Sequence, residues 1–226
     1  MEINKIYQGN CIEVLKTFPD ESINCVITDP PYGINKEGIL NDDSLEVYYQ
    51  SLPEIYRILK DNSFFITFAS IGRLPDFFKN NPFKYRWQYI IFINNGMVRG
   101  SIGFNRYISV LIFQKGSAKI KKPLLDIFEC STSSKQCKLR THPTEKRLDA
   151  IEKIIPAFTK EGDIILDCFC GTGNILLGSK NLKREYIGIE LDKKYFDIAE
   201  TKLNDGNNGI PPKPKVLGIL PNFIWK

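Results

Sequence analysis

Residues 163–190 read DIILDCFCGTGNILLGSKNLKREYIGIE. A short aliphatic run (163–167) breaks into a glycine-bearing loop, a stretch of helical apolar spacing follows (172–182), and a second β-branched run (185–189) ends at Glu190. The same alternation extends outward. Strands are predicted at Ile23–Thr28, 63–69, 87–93 and 107–113, and helices at 74–80, 145–158 and Lys193–Asn204. Residues 45–60 carry helical spacing around Pro53, with Ser51 and Glu54 resembling a capping pair, so they predict a kinked helix or two short ones. The last helix shows an apolar face at Tyr195, Phe196, Ile198, Ala199 and Leu203. Strands alternating with helices predict an α/β sheet covered on both faces.

The chain has 226 residues, 42% hydrophobic and 25% charged, which is the composition of a globular protein with one sizeable core. No run approaches the roughly 20 apolar residues of a membrane-crossing helix, and the N-terminus lacks a secretory apolar run, so a cytoplasmic protein is expected. The six cysteines form no CxxC pair and there is one histidine, which predicts reduced thiols and no metal centre. Net charge is +5, and its distribution is uneven: nine lysines and arginines stand against three acids between Lys115 and Arg147. Such a segment is either a solvated loop or a phosphate-facing one. The stretch 205–226 opens with Gly and Pro positions that disfavour regular structure and closes with an apolar VLGILPNFIW.

Two loops carry chemistry, each directly after a predicted strand, where open α/β sheets bind their ligands. The first is Asp29-Pro30-Pro31-Tyr32. Its prolines fix the backbone and remove two N–H donors, leaving the Asp29 and Pro30 carbonyls as rigid acceptors beside the Asp29 carboxylate. Acceptors so arranged suit an exocyclic amino group, and Tyr32 offers a flat face for a base. The second is Asp167-Cys168-Phe169-Cys170-Gly171-Thr172-Gly173. Its glycines permit close backbone approach at a helix N-terminus, but Leu176 stands where a dinucleotide fingerprint needs its third glycine. Glu190, at the end of the next strand, is placed to accept ribose hydroxyls. An adenosine-containing ligand without a pyrophosphate fits both features.

These motifs, with His142-Pro143-Thr144-Glu145-Lys146 between them, resemble the S-adenosylmethionine-dependent amino-methyltransferases of DNA in the permuted arrangement called the β group. The resemblance spans about residues 5–204. It implies a Rossmann-like methyltransferase fold with a mostly parallel seven-stranded sheet, helices on both faces and circularly permuted motif order. It implies one methyltransferase domain (1–204), a short basic target-recognition insertion at about 114–141, and a C-terminal tail (205–226).

By position, the resemblance assigns Asp29, Pro30, Pro31 and Tyr32 to the flipped base. It assigns Asn10, Cys11, Asp167, Phe169, Cys170, Gly171, Thr172, Gly173, Glu190 and Leu191 to the cofactor, with His142, Thr144 and Lys146 near its methionine end. Some positions depart from the family pattern: Asn10 replaces a common Asp, Cys168 a common Pro, Asn174 a frequent Thr, and HPTEKR stands for HPTQKP. None touches the Asp-Pro-Pro-Tyr loop. The implied reaction is direct N6 methylation of adenine in double-stranded DNA at a specific site. N4 methylation of cytosine and an inactive DNA-binding relative are the alternatives. The loop 33–44 and the basic segment are the expected readers of sequence, with Lys121, Lys122, Lys138 and Arg140 as DNA contacts. The family resemblance also implies a homodimer.

Overall fold

The structure, a computed structural model, describes residues 1–34, 40, 42–96, 98–99, 103–131 and 145–204. Ten strands are described: β1 (Lys5–Gln8), β2 (Ile23–Thr28), β3 (Leu59–Ala69), β4 (Lys84–Ile93), β5 (Val98–Arg99), β6 (Phe104–Asn105), β7 (Tyr107–Lys115), β8 (Ile127–Cys130), β9 (Ile164–Asp167) and β10 (Glu185–Glu190). Helices are α1 (Cys11–Lys16), α2 (Glu46–Ile58), α3 (Leu148–Phe158), α4 (Asn174–Asn181) and α5 (Lys193–Asn204), with a 3-10 helix at Ile71–Phe78. Eight strands form one sheet in the order β1-β10-β9-β2-β3-β7-β4-β8, and β5 and β6 form a separate hairpin. Within the large sheet β7 alone runs antiparallel to its neighbours.

The sheet has eight strands among the described residues, one more than the seven implied, because Ile127–Cys130 of the supposed insertion pairs with β4 at the edge. Strand β1 is also new; four residues of mixed polarity, KIYQ, carry too little pattern to be read. Residues 45–60 form one helix running through Pro53 and stopping at Ile58, after which the chain turns directly into the long β3. Ser51 is no cap: its hydroxyl donates back to the Tyr48 carbonyl from a buried position. The helix predicted from 172 begins at Asn174, capped by Gly173 at φ 82°.

Alternation along the central strands loads both faces. Val26, Phe65 and Leu166 join Leu15, Leu52 and Ile55 beneath α1 and α2. Ile27, Phe64, Ile66 and Ile165 join Ile151, Ile154 and Phe158 beneath α3. Ile6, Tyr186 and Leu176 pack with Ala199 and Leu203 of α5. Buried on both sides, β2 and β9 read as continuous apolar runs rather than alternating ones.

The position of the site follows from strand order. β2 and β9 are neighbours, with Cys25 opposite Ile165 and Val26 opposite Leu166. From β2 the sheet continues through β3, and from β9 it continues through β10, in opposite directions. The loops after Thr28 and Asp167 therefore open into one crevice at the carboxyl edge, the switch point of the sheet.

Candidate active site

A cavity of about 430 Å³ occupies that crevice, lined among others by Asn10, Asp29, Tyr32, Lys146, Gly171 and Glu190. One end of it is the Asp29–Tyr32 loop. Both oxygens of the Asp29 carboxylate are engaged: Lys146 Nζ lies 2.7 Å from Oδ2, and the Tyr32 hydroxyl donates to Oδ1. Lys146 is nearly buried, 5.3 Å from the centre of the Tyr32 ring and 5.4 Å from that of Phe68. Each carboxylate oxygen has a second lone pair, so an incoming amino group can still be accepted. Burial, and then the Asp29 charge, raise the Tyr32 phenol well above its ordinary value, so it is a donor and not a phenolate. Asp42 orders the loop from below, its Oδ1 accepting from Tyr32 N (2.5 Å) and Gly33 N (2.9 Å).

At the other end, Glu190 leaves β10 with both carboxylate oxygens on backbone donors: Oε2 on Gly171 N and Oε1 on Asp192 N, each 2.8 Å. Burial raises its pKa against those hydrogen bonds. Gly171 sits at φ 50°, and a Cβ there would meet no protein atom within 4 Å. The backbone at that point faces open cavity, as a close-fitting ligand requires. Asn10 caps α1, its Oδ1 accepting from Ile12 N at 2.9 Å, and still lines the cavity. Cys11, Cys168 and Cys170 are walls: burial pushes the Cys11 thiol up to about 12 and the other two well above the ordinary range. They remain protonated and are not nucleophiles.

A charged brace joins the two halves. Glu145, almost wholly buried, accepts from Lys202 Nζ (2.5 Å) and Thr172 Oγ1 (2.9 Å). Lys202 Nζ also reaches Asn174 Oδ1 (2.8 Å), whose amide nitrogen donates to the Lys146 carbonyl (2.8 Å). The segment carrying Lys146 is thereby fixed to the loop after β9 and to α5.

Asp167 is buried at the seam, its Oδ1 accepting from Thr28 Oγ1 (2.7 Å) and Phe169 N (3.1 Å). Burial pushes its pKa up to about 7 against those bonds, and the Asp29 and Glu190 charges act in the same direction as burial. The folded state then holds a proton that the unfolded chain releases near pH 4, so this group's contribution to stability is present below pH 4 and is lost as pH rises to about 7. We expect the unfolding free energy of the wild type, minus that of Asp167→Asn, to fall over this interval by up to about 4 kcal/mol. Denaturant titrations at pH 4 to 8 measure it; a difference that stays flat with pH refutes the assignment.

Of the residues singled out in the sequence, Asp29, Pro30, Pro31, Tyr32, Asn10, Cys11, Lys146, Asp167, Phe169, Cys170, Gly171, Thr172, Glu190 and Leu191 converge on this one cavity. Gly173 does not line it. A Cβ there would come within 3.1 Å of the Ala199 Cβ, so this glycine serves the left-handed cap and the approach of α5. Lys121 and Lys122 are also elsewhere. β7 runs away from the cavity, and Lys121 N donates to the Ala157 carbonyl at the far end of α3, leaving both lysines at the amino edge of the sheet. Nine residues of extended chain put them about 30 Å from the site. His142, Thr144, Lys138 and Arg140 lie outside the described residues. Residues 114–131 of the supposed insertion are the end of β7, an amino-edge loop and β8. Sequence reasoning missed Asp42, Tyr195, Asn105 and Tyr107, all on the cavity wall. Tyr195 was visible only as part of an apolar helix face, and the others stand in no recognisable pattern.

Among the described residues no helix is long and apolar enough to cross a membrane, and no cluster of His, Cys, Asp and Glu could hold a metal.

The DNA methylase family, N6 and N4 enzymes together, matches residues 77–201. The type II methyltransferase M.HpaI of Haemophilus parainfluenzae is 28% identical over 253 aligned residues, with 96% of this chain and 79% of that protein covered. The crystal structure of the M1.HpyAVI–SAM complex superposes with a TM-score of 0.71 at 28% identity, covering 88% of this chain and 98% of that one. The cytosine-N4-specific PvuII DNA methyltransferase shares the fold, with a TM-score of 0.73 at 18% identity over 92% of this chain and 88% of that one.

Proposed function

Since this chain belongs to the N6/N4 DNA methylase family and uses S-adenosylmethionine, we propose that it methylates the N6 amino group of adenine at specific sites in duplex DNA. The observation that carries this is the Asp29-Pro30-Pro31-Tyr32 loop at one end of a cavity whose other end is Glu190 and Gly171. An Asp in the first position of that loop is commonest among the adenine enzymes that the sequence resembles. Duplex DNA is the partner, and the setting is the cytoplasm of a prokaryote or of a cell infected by a virus or phage.

When bound, S-adenosylmethionine supplies an electrophilic methyl group. Gly171, Phe169, Glu190 and Asn10 would hold its adenosine, and Lys146 borders the catalytic end. The target nucleotide has to leave the duplex to reach Asp29. Tyr32 supports the face of the base. Asp29 and the Pro30 carbonyl accept from the amino group, so nitrogen lone-pair density is turned toward the methyl donor. Lys146 and the Tyr32 hydroxyl hold the Asp29 carboxylate in place while it does so. No covalent enzyme intermediate is involved.

Nucleoside mass spectrometry of DNA from a methylation-deficient host expressing the protein tests the proposal. N6-methyladenine is the expected product. N4-methylcytosine would overturn the choice of base and keep the chemistry. Neither product, from folded protein, would overturn DNA methylation itself.

A further inference from the structure

The β5–β6 hairpin stands apart from the large sheet at its carboxyl edge, beside the cavity. Its root is fixed: Ile93 N donates to the Arg106 carbonyl at 2.7 Å, and the Arg106 guanidinium lies over the Phe92 ring at 5.0 Å. At the end of this hairpin neighbouring side chains diverge, as alternate residues of an extended chain do. Asn105 and Tyr107 line the cavity that holds Asp29 and Tyr32. Phe104 does not line it and is 67% exposed, the most exposed large apolar side chain among the described residues.

An aromatic ring left in water beside a base pocket has a physical use. Turning a base out of a duplex breaks its stacking on both sides and leaves a gap, and an apolar side chain inserted between the flanking steps restores part of what is lost. A planar ring stacks on any base, whatever the sequence. Ile34 and Leu40 are also exposed near the site, but they are aliphatic and belong to the cavity wall, where the flipped base itself would be.

We propose that Phe104 enters the duplex in the place vacated by the flipped base, a positioning role that rests on the DNA methyltransferase function above. Its loss then penalises only substrates whose target base is stacked and paired. The test uses the full chain and genomic DNA from a methylation-deficient host, native or heat-denatured, at subsaturating DNA and saturating cofactor. Phe104→Ala should lower the rate on native DNA by about 30-fold and on denatured DNA by less than about threefold, with Phe104→Leu between it and the wild type. Cofactor affinity should not change.

Equal losses on the two substrates, or no loss on either, would overturn the proposal. In a second measurement, Phe104→Trp fluorescence should be quenched by native DNA in the presence of S-adenosylhomocysteine. An unquenched signal would also overturn it, and this measurement decides if denatured DNA is no substrate even for the wild type. A wild type that methylates neither form would instead refute the underlying function.

Discussion

Replacing Asp29 with alanine should lower the rate of methyl transfer by about a thousand-fold while leaving cofactor affinity within about threefold of the wild type. The separation follows from where the groups sit. Asp29 is held by Lys146 and Tyr32 at one end of the cavity, whereas Glu190 and Gly171 bond to each other at the other. Removing the carboxylate takes away the acceptor that orients the amino group and leaves the nearly buried Lys146 ammonium without its 2.7 Å partner. Asp29→Asn keeps the volume and an acceptor oxygen but not the charge, so a comparable loss in that variant would assign the effect to charge and not to a cavity. Single-turnover methylation and titration calorimetry on both variants measure the two quantities. Turnover within tenfold of the wild type in Asp29→Ala would remove Asp29 from the chemistry.

Glu190→Gln should show the converse: a cofactor dissociation constant raised by about 30-fold, with the rate at saturating cofactor within about threefold. The carboxylate now accepts from Gly171 N and Asp192 N, one with each oxygen. A glutamine has one carbonyl oxygen, so one of these backbone donors must face an amide NH2, and the loop at Gly171 loses its fixed distance from β10. On the proposed cofactor placement, the ribose hydroxyls lose a charged acceptor in the same change. Calorimetric titration with S-adenosylmethionine measures the affinity; an unchanged value would mean that Glu190 serves only the loop.

What could be read from the sequence was whatever needed an unusual residue. Two prolines after a buried strand, and Gly171 at positive φ with open space before it, are conformational demands that few residues meet. Glu190 was legible because a strand end fixes its position. Asp42 was not: it reaches the Tyr32 and Gly33 amides from ten and nine residues further along the chain, and no motif in the sequence marks it. Lys121 and Lys122 are a different case. Charge density in a segment has no direction, and only the antiparallel course of β7 shows that the chain has carried them to the opposite edge. Gly173 was assigned to the ligand because glycines in such loops commonly meet one, yet its neighbour is Ala199 on a helix formed 26 residues later.

The pairing of β1 with β10 also bears on how the molecule is made. β2, β3, β7, β4 and β8 are contiguous in the sheet and are contributed by residues 23–130, whereas Lys5 finds its partner only at Ile187. During synthesis these five strands can assemble while β1 waits for β10 to emerge, and contacts of such sequence separation are slow to close. Asp29 is then in its loop well before Glu190 exists. The cavity is complete only once β10 is in place, so cofactor cannot template the early steps and can only trap the finished fold.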